Sequence, residues 1–390
     1  MKKTKVGLFA ALAGSALVLS ACGGGGIVSD GGGQGGGAAS DSTATGDASG
    51  ESVELNMVTM VQPHTPNAPV QNWFLDQIEE RSNGRIKVNR TEPDSICKPA
   101  EVAECVRDGR ADIGTSISDY TPQLFPTMSV ATIPFMADNS QAFMEAIYKA
   151  NTENEDAKAA WDDSGIKLIA AWHPGLTIIG TNGKVSSIED IKGKRFRVTG
   201  AYLQQAFEKV GANVVALPAN ETYEGVERGL ADAVSWTMDG PVDYKLMEQL
   251  KDWALPGAGV YTTFAIWLNS EKFEAMPDDL KKVVEDVQAD LIAGEGMKAF
   301  NEATEAQCDA MLEYSGVESF TAWDESATAE WKDQVLDDLL AAWQQQAASD
   351  GLANPEKFLA DYRAAYDEAA AKPDIVEDPV KKCIERFANR

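Results

Sequence analysis

The sequence predicts an α/β protein made of two similarly built lobes, and three observations predict it. From residue 53 onward, short apolar strands alternate with helix-like segments. The body beyond the first fifty residues, about 340 residues long, exceeds what one hydrophobic core usually supports. The string Gly-x-Ala-Asp, closing a helix and opening a strand, occurs twice: Val106-Arg107-Asp108-Gly109-Arg110-Ala111-Asp112-Ile113 and Val226-Glu227-Arg228-Gly229-Leu230-Ala231-Asp232-Ala233. A basic strand precedes each copy, Gly84-Arg85-Ile86-Lys87-Val88 in the first and Lys194-Arg195-Phe196-Arg197-Val198 in the second.

In chain order, the basic start Met1-Lys2-Lys3-Thr4-Lys5 and the apolar run 6–19 have the n-region and h-region of a secretory signal peptide. The run is too short to span a bilayer as a helix. Leu19-Ser20-Ala21-Cys22 resembles the lipobox of bacterial lipoproteins, which implies that Cys22 is acylated and becomes the new N-terminus. Residues 22–52 are rich in Gly, Ser, Ala, Thr and Asp; they cannot bury a core and are expected to act as a flexible tether.

Residues 53–60 read as a strand. Val70, Trp73, Phe74 and Ile78 recur at helical spacing, Asn83-Gly84 supplies a stop, and 85–91 reads as the next strand. Residues 277–314 read as a long helix, with Pro277 at a first-turn position and Gly316 past the end. At 1.5 Å per residue it would reach about 57 Å, enough to run along both lobes. Gly294-Glu295-Gly296 weakens it and predicts a kink.

With 34 basic against 61 acidic residues, the formal charge is -27. Such a surface repels nucleic acid and anionic headgroups, so any anion site must be built from specific local cations. If Cys22 carries lipid, Cys97, Cys105, Cys308 and Cys383 remain for two disulfides. Proximity suggests Cys97 with Cys105 and Cys308 with Cys383, although three pairings are open. No Cys-x-x-Cys pair exists and His64 and His173 are the only histidines, so neither a metal nor a cofactor is expected.

The segment Ser186-Ser187-Ile188-Glu189-Asp190-Ile191-Lys192-Gly193-Lys194-Arg195-Phe196-Arg197-Val198 resembles the diagnostic stretch of TRAP transporter substrate-binding proteins, the dicarboxylate-type family. The likeness continues through Val210-Gly211-Ala212, Leu217-Pro218-Ala219-Asn220-Glu221-Thr222-Tyr223 and Ile133-Pro134-Phe135-Met136. It implies a two-lobed, periplasmic-binding-protein-like fold of type II kind, with crossing strands and a long helix spanning both lobes. The expected divisions are signal peptide 1–21, tether 22–52, lobe I 53–176, lobe II 177–261, a return to lobe I with the spanning helix 262–312, and C-terminal helices 313–390, mainly beside lobe II.

The resemblance makes Arg197 the grip on a ligand carboxylate, a task suited to a guanidinium fork. Relatives that bind sugar acids carry a second Arg where Thr177 stands here, and Asn where Trp236 stands. Both departures point to a less polar monocarboxylate, with Trp236 offering a face to a flat ligand. His64, Trp172, His173, Asp239 and Tyr120 lie in segments expected to edge the cleft. The function implied is an extracytoplasmic receptor, monomeric, tethered through Cys22 and handing a small organic carboxylate to TRAP membrane permease subunits. A receptor for an ABC permease, a ligand sensor, and an enzyme using His64, His173 and Asp239 as an acid–base set are the alternatives. No nucleophile motif or phosphate loop supports the last.

Overall fold

The computed structural model describes residues 50–390; the signal segment, Cys22 and most of the tether lie outside the described residues. Among the described residues, eleven strands form two sheets. The first sheet contains β1 (Val53–Thr59), β2 (Ile86–Arg90), β3 (Ile113–Ile117), β4 (Ile166–Trp172) and β10 (Phe264–Asn269), in the order β2-β1-β3-β10-β4. The second contains β5 (Ile178–Thr181), β6 (Arg195–Arg197), β7 (Asn213–Val215), β8 (Ala233–Trp236), β9 (Asp252–Leu255) and β11 (Ser319–Ala322), in the order β11-β9-β5-β8-β6-β7. These sheets are the cores of the two expected lobes.

The repeated string has a physical purpose. Gly109 (φ 71°) and Gly229 (φ 69°) take the left-handed conformation that ends their helices. Ala111 and Ala231 then turn inward, each 1% exposed. Asp112 Oδ2 accepts the backbone N–H of Asn56 in β1 at 2.7 Å, and Asp232 Oδ2 that of Arg195 in β6 at 3.2 Å. Each aspartate thus ties the incoming strand to the middle strand of a parallel trio, β2-β1-β3 or β7-β6-β8.

The same bonds correct one detail of the repeat. β1 pairs in parallel with β2 and β3, as β6 does with β7 and β8. The counterpart of the basic strand β6 is therefore β1, and the basic strand β2 corresponds to β7. Local composition matched the two basic strands, but pairing order, set by contacts far apart in sequence, does not follow it.

Before its C-terminal helices the described chain passes between lobes three times. Residues 173–177 lead from β4 to β5, and residues 256–263 lead back from β9 to β10. The two passages run antiparallel side by side, through a Leu176–Val260 bridge and a bond from Thr177 N to Gly259 O of 2.7 Å. The third passage is helical: Asp278–Asp290 and Gly296–Glu313 flank a π turn at Leu291–Glu295, where Gly294 (φ 120°) leaves helical geometry. The expected kink is this wide turn. Gln141 Nε2 reaches in and donates to Ile292 O at 2.6 Å, satisfying a carbonyl at the irregular turn.

The C-terminal helices divide between the lobes. Glu325–Ser349 packs on Ala201–Lys209 of the second lobe, Pro355–Ala370 on Ser140–Glu153 of the first, and Pro379–Ala388 on Gly296–Glu313 and β11. Disulfides join Cys97 to Cys105 and Cys308 to Cys383. No described helix is long and apolar enough to cross a membrane.

Candidate ligand-binding cavity

Strand ends build the site. In both sheets the parallel strands point their carboxyl ends at the gap between lobes, where open α/β folds place their ligands. Met60, Val61 and Gln62 follow β1, Tyr120 follows β3, Arg197 ends β6 and Trp236 ends β8. All six line one cavity of about 350 Å³, near the lower end of the usual range for small-molecule sites.

Arg197 is 3% exposed. On β6, Phe196 turns into the core while Arg195 and Arg197 share the opposite face. Arg195 is exposed and pairs with Asp232, whereas Arg197, at the end of the strand, meets the cavity. Its Nε donates to Leu217 O at 3.1 Å and its Nη1 to the Tyr261 hydroxyl at 2.7 Å; that hydroxyl donates onward to Ser235 O at 3.1 Å. The guanidinium carbon lies 4.0 Å from the centre of the Trp236 ring, a cation–π contact that flattens the fork against the wall. A guanidinium has five N–H donors. With two committed, three have no hydrogen-bond partner among the described residues, and they are the donors a carboxylate would use.

Arg197 is the one cation among the described residues lining this cavity, and Asp239 the one carboxylate. Burial pushes Asp239 up from the usual carboxylate range, while the Thr237 hydroxyl, which donates to its Oδ1, opposes the shift. Tyr244, tilted against Trp236 with ring centres 4.8 Å apart, completes an aromatic wall.

Four of the candidate residues thus meet at one cavity: Arg197, Trp236, Asp239 and Tyr120. The other four are absent from its lining. Thr177 lies fully buried in the crossing passage, where its hydroxyl donates to Val260 O at 3.2 Å. Trp172 sits behind the wall; its indole N–H donates to Asn67 Oδ1 at 2.9 Å, and Asn67 is what reaches the cavity. His173 is buried against Phe143, and its Nδ1 accepts the Gly175 N–H at 3.1 Å. Burial pulls it down to about 3, so it is a neutral structural imidazole. His64 is exposed on the loop after β1. An acid–base set of His64, His173 and Asp239 is not assembled. The passages reach the cavity through Pro174, Tyr261 and Thr262 instead.

Sequence reasoning missed Tyr261, Asn67 and Gln204. Tyr261 holds Arg197 from 64 positions away in the returning passage, within no recognisable motif. Asn67 was within reach, since it opens the helix Asn67–Arg81 directly after the loop that carries His64. Among the described residues no group of three or more His, Cys, Asp or Glu is placed to hold a metal.

Comparison with known proteins matches residues 57–345 to the family described as bacterial extracellular solute-binding protein, family 7. The chain is 26% identical over 215 residues to the 2,3-diketo-L-gulonate-binding periplasmic protein of Escherichia coli K12. That match covers 54% of this chain and 64% of the relative's length. Among solved structures, a TRAP periplasmic solute-binding protein from Bordetella bronchiseptica with bound (R)- and (S)-mandelate is 24% identical, with a TM-score of 0.67 over 81% of this chain and 99% of that one. A TRAP solute-binding protein from Rhodoferax ferrireducens T118 with copurified benzoate is 21% identical, with a TM-score of 0.71 over 82% and 99%.

Proposed function

Since the chain belongs to the bacterial extracellular solute-binding proteins of family 7, we propose that it is the solute receptor of a TRAP transporter and takes a small, flat, partly apolar monocarboxylate between its lobes. The observation that carries this reading is Arg197: a buried guanidinium at the cavity wall, two donors fixed by the protein, three without a hydrogen-bond partner among the described residues, and an aromatic face beneath it. One cation suits one carboxylate. A second anionic group would meet Asp239 or neutral side chains, and Thr177, where relatives that bind sugar acids have a second Arg, has its hydroxyl engaged with Val260 O. The aromatic acids bound by the Bordetella and Rhodoferax proteins fit this direction.

Binding works by population shift. A ligand on Arg197 makes its full contacts only when Met60, Gln62 and Tyr120 of the other lobe close over it, so it favours the closed arrangement. The closed surface is what the permease recognises. Holding the fork in place beforehand lowers the cost of binding, while the desolvation of a buried ion pair limits the gain. No chemical step is required, and the protein returns its ligand unchanged. Acylation at Cys22, proposed from its lipobox-like surroundings, would keep the receptor near the permease and raise their effective concentration.

A thermal-shift screen of monocarboxylates, dicarboxylates and sugar acids tests the reading. A ligand at a hundred times its Kd adds about 2.7 kcal/mol of stability. Aromatic monocarboxylates should shift the parent, and Arg197→Ala should abolish the shift. A response confined to sugar acids, or an undiminished response in Arg197→Ala, contradicts it.

A further inference from the structure

A second and larger cavity of about 840 Å³ abuts the first and shares Ile117, Tyr120, Thr199 and Thr262 with it. It lies between the loop after β3 and the segment 199–205, and the helix Glu325–Ser349 closes its far side through Gln345, Gln346 and Ser349. Its charge is one-sided. Asp119 is the only carboxylate among the described lining residues, and no Lys, Arg or His joins it.

Asp119 is half answered. Its Oδ2 accepts the Thr262 hydroxyl at 3.0 Å, whereas its Oδ1 is buried with no hydrogen-bond partner among the described residues. A buried carboxylate oxygen left unpaired is costly and is rarely kept without a partner. Burial pushes Asp119 up to about 7, against the smaller lowering by Thr262. The group is held in a place that suits an anion only when a cation arrives.

Tyr120 stands between the two cavities, and its phenol senses both Arg197 and Asp119. A cation with free donors in one chamber and an anion with a free acceptor in the next form a complementary pair separated by a shared wall of side chains.

We propose that the second cavity is a subsite for the ammonium end of a zwitterionic ligand whose carboxylate rests on Arg197, with Asp119 Oδ1 as its acceptor. This rests on the carboxylate reading and narrows it to a carboxylate bearing a distant amino group. A primary ammonium carries three donors, and the subsite offers Asp119 Oδ1 together with the Ser129, Thr132 and Gln345 side chains.

Isothermal titration of the full chain near pH 8 tests this, using ω-amino carboxylates of increasing length and the alkanoates of matched length. One chain length is expected to bind at least tenfold tighter than its alkanoate, and in Asp119→Asn that ratio should fall to about one. The inference is overturned if no amino acid exceeds its alkanoate, or if Asp119→Asn keeps the ratio. The length series on the parent decides the matter even if the variant fails to fold. Should neither series bind, the subsite is refuted, while the carboxylate reading stands or falls with the aromatic monocarboxylates; alkanoates that bind without an ammonium advantage likewise refute only the subsite.

Discussion

Arg197→Lys is the sharpest single perturbation because it keeps the charge and removes the fork. Arg197 makes three kinds of contact at once: Nε to Leu217 O, Nη1 to the Tyr261 hydroxyl, and the plane of the group on Trp236. A lysine carries its three donors on one atom, so it cannot hold two fixed partners and still present a pair of donors to a carboxylate. The minimum loss is one charge-assisted hydrogen bond to the ligand, about 1.5–3 kcal/mol. At 1.4 kcal/mol per decade, that weakens Kd by about 10- to 150-fold. Titration calorimetry of an aromatic monocarboxylate against parent and variant measures it directly. A Kd within threefold of the parent would mean that a point charge suffices, and the bidentate account of Arg197 would be wrong.

Three further outcomes follow from the same geometry. Trp236→Ala should weaken an aromatic carboxylate by about tenfold relative to acetate, since stacking contributes about 0.5–1.5 kcal/mol beyond area burial; equal losses for both ligands would place Trp236 outside the ligand's reach. Asp243, pushed up to about 7 by burial and by neighbouring Asp239, holds its proton more tightly folded than unfolded. Its cost is absent below the unfolded pKa of about 4 and grows as pH rises towards 7. Asp243→Asn should therefore melt several degrees above the parent at pH 8 and alongside it at pH 4, and a constant difference across that range would refute the assignment. Gly259 has φ 79° beside the crossing, where a Cβ would overlap Ala137 O, so Gly259→Ala should cost more than about 2 kcal/mol in chemical denaturation.

The parts of the fold legible in the sequence were those written in local signals. The Gly-x-Ala-Asp strings were visible because each encodes a left-handed helix end, an inward alanine and a tying aspartate within four residues. What they tie to was not visible: Asn56 is 56 positions from Asp112, and Arg195 is 37 from Asp232. Hence β2 was matched with β6, although β1 holds the equivalent place. The site followed the same division. Arg197 and Trp236 were reached through the family resemblance and, with Tyr120, stand at or just past strand ends that line the cavity, whereas Trp172 ends β4 and His173 and Thr177 follow it in the passage, all three outside the cavity lining. Tyr261 needed the three-dimensional fold, because only the adjacency of the two crossing passages brings its hydroxyl to Arg197.

Arg197 is proposed to receive a ligand carboxylate between the lobes. A crystal structure of the protein with whichever carboxylate gives the largest thermal shift tests it most directly. The carboxylate is expected within hydrogen-bond distance of the Arg197 Nη atoms, with Trp236 beside it and Tyr120 closed over it from the other lobe. A ligand bound elsewhere, or bound in this cavity with its carboxylate turned away from Arg197, would contradict it.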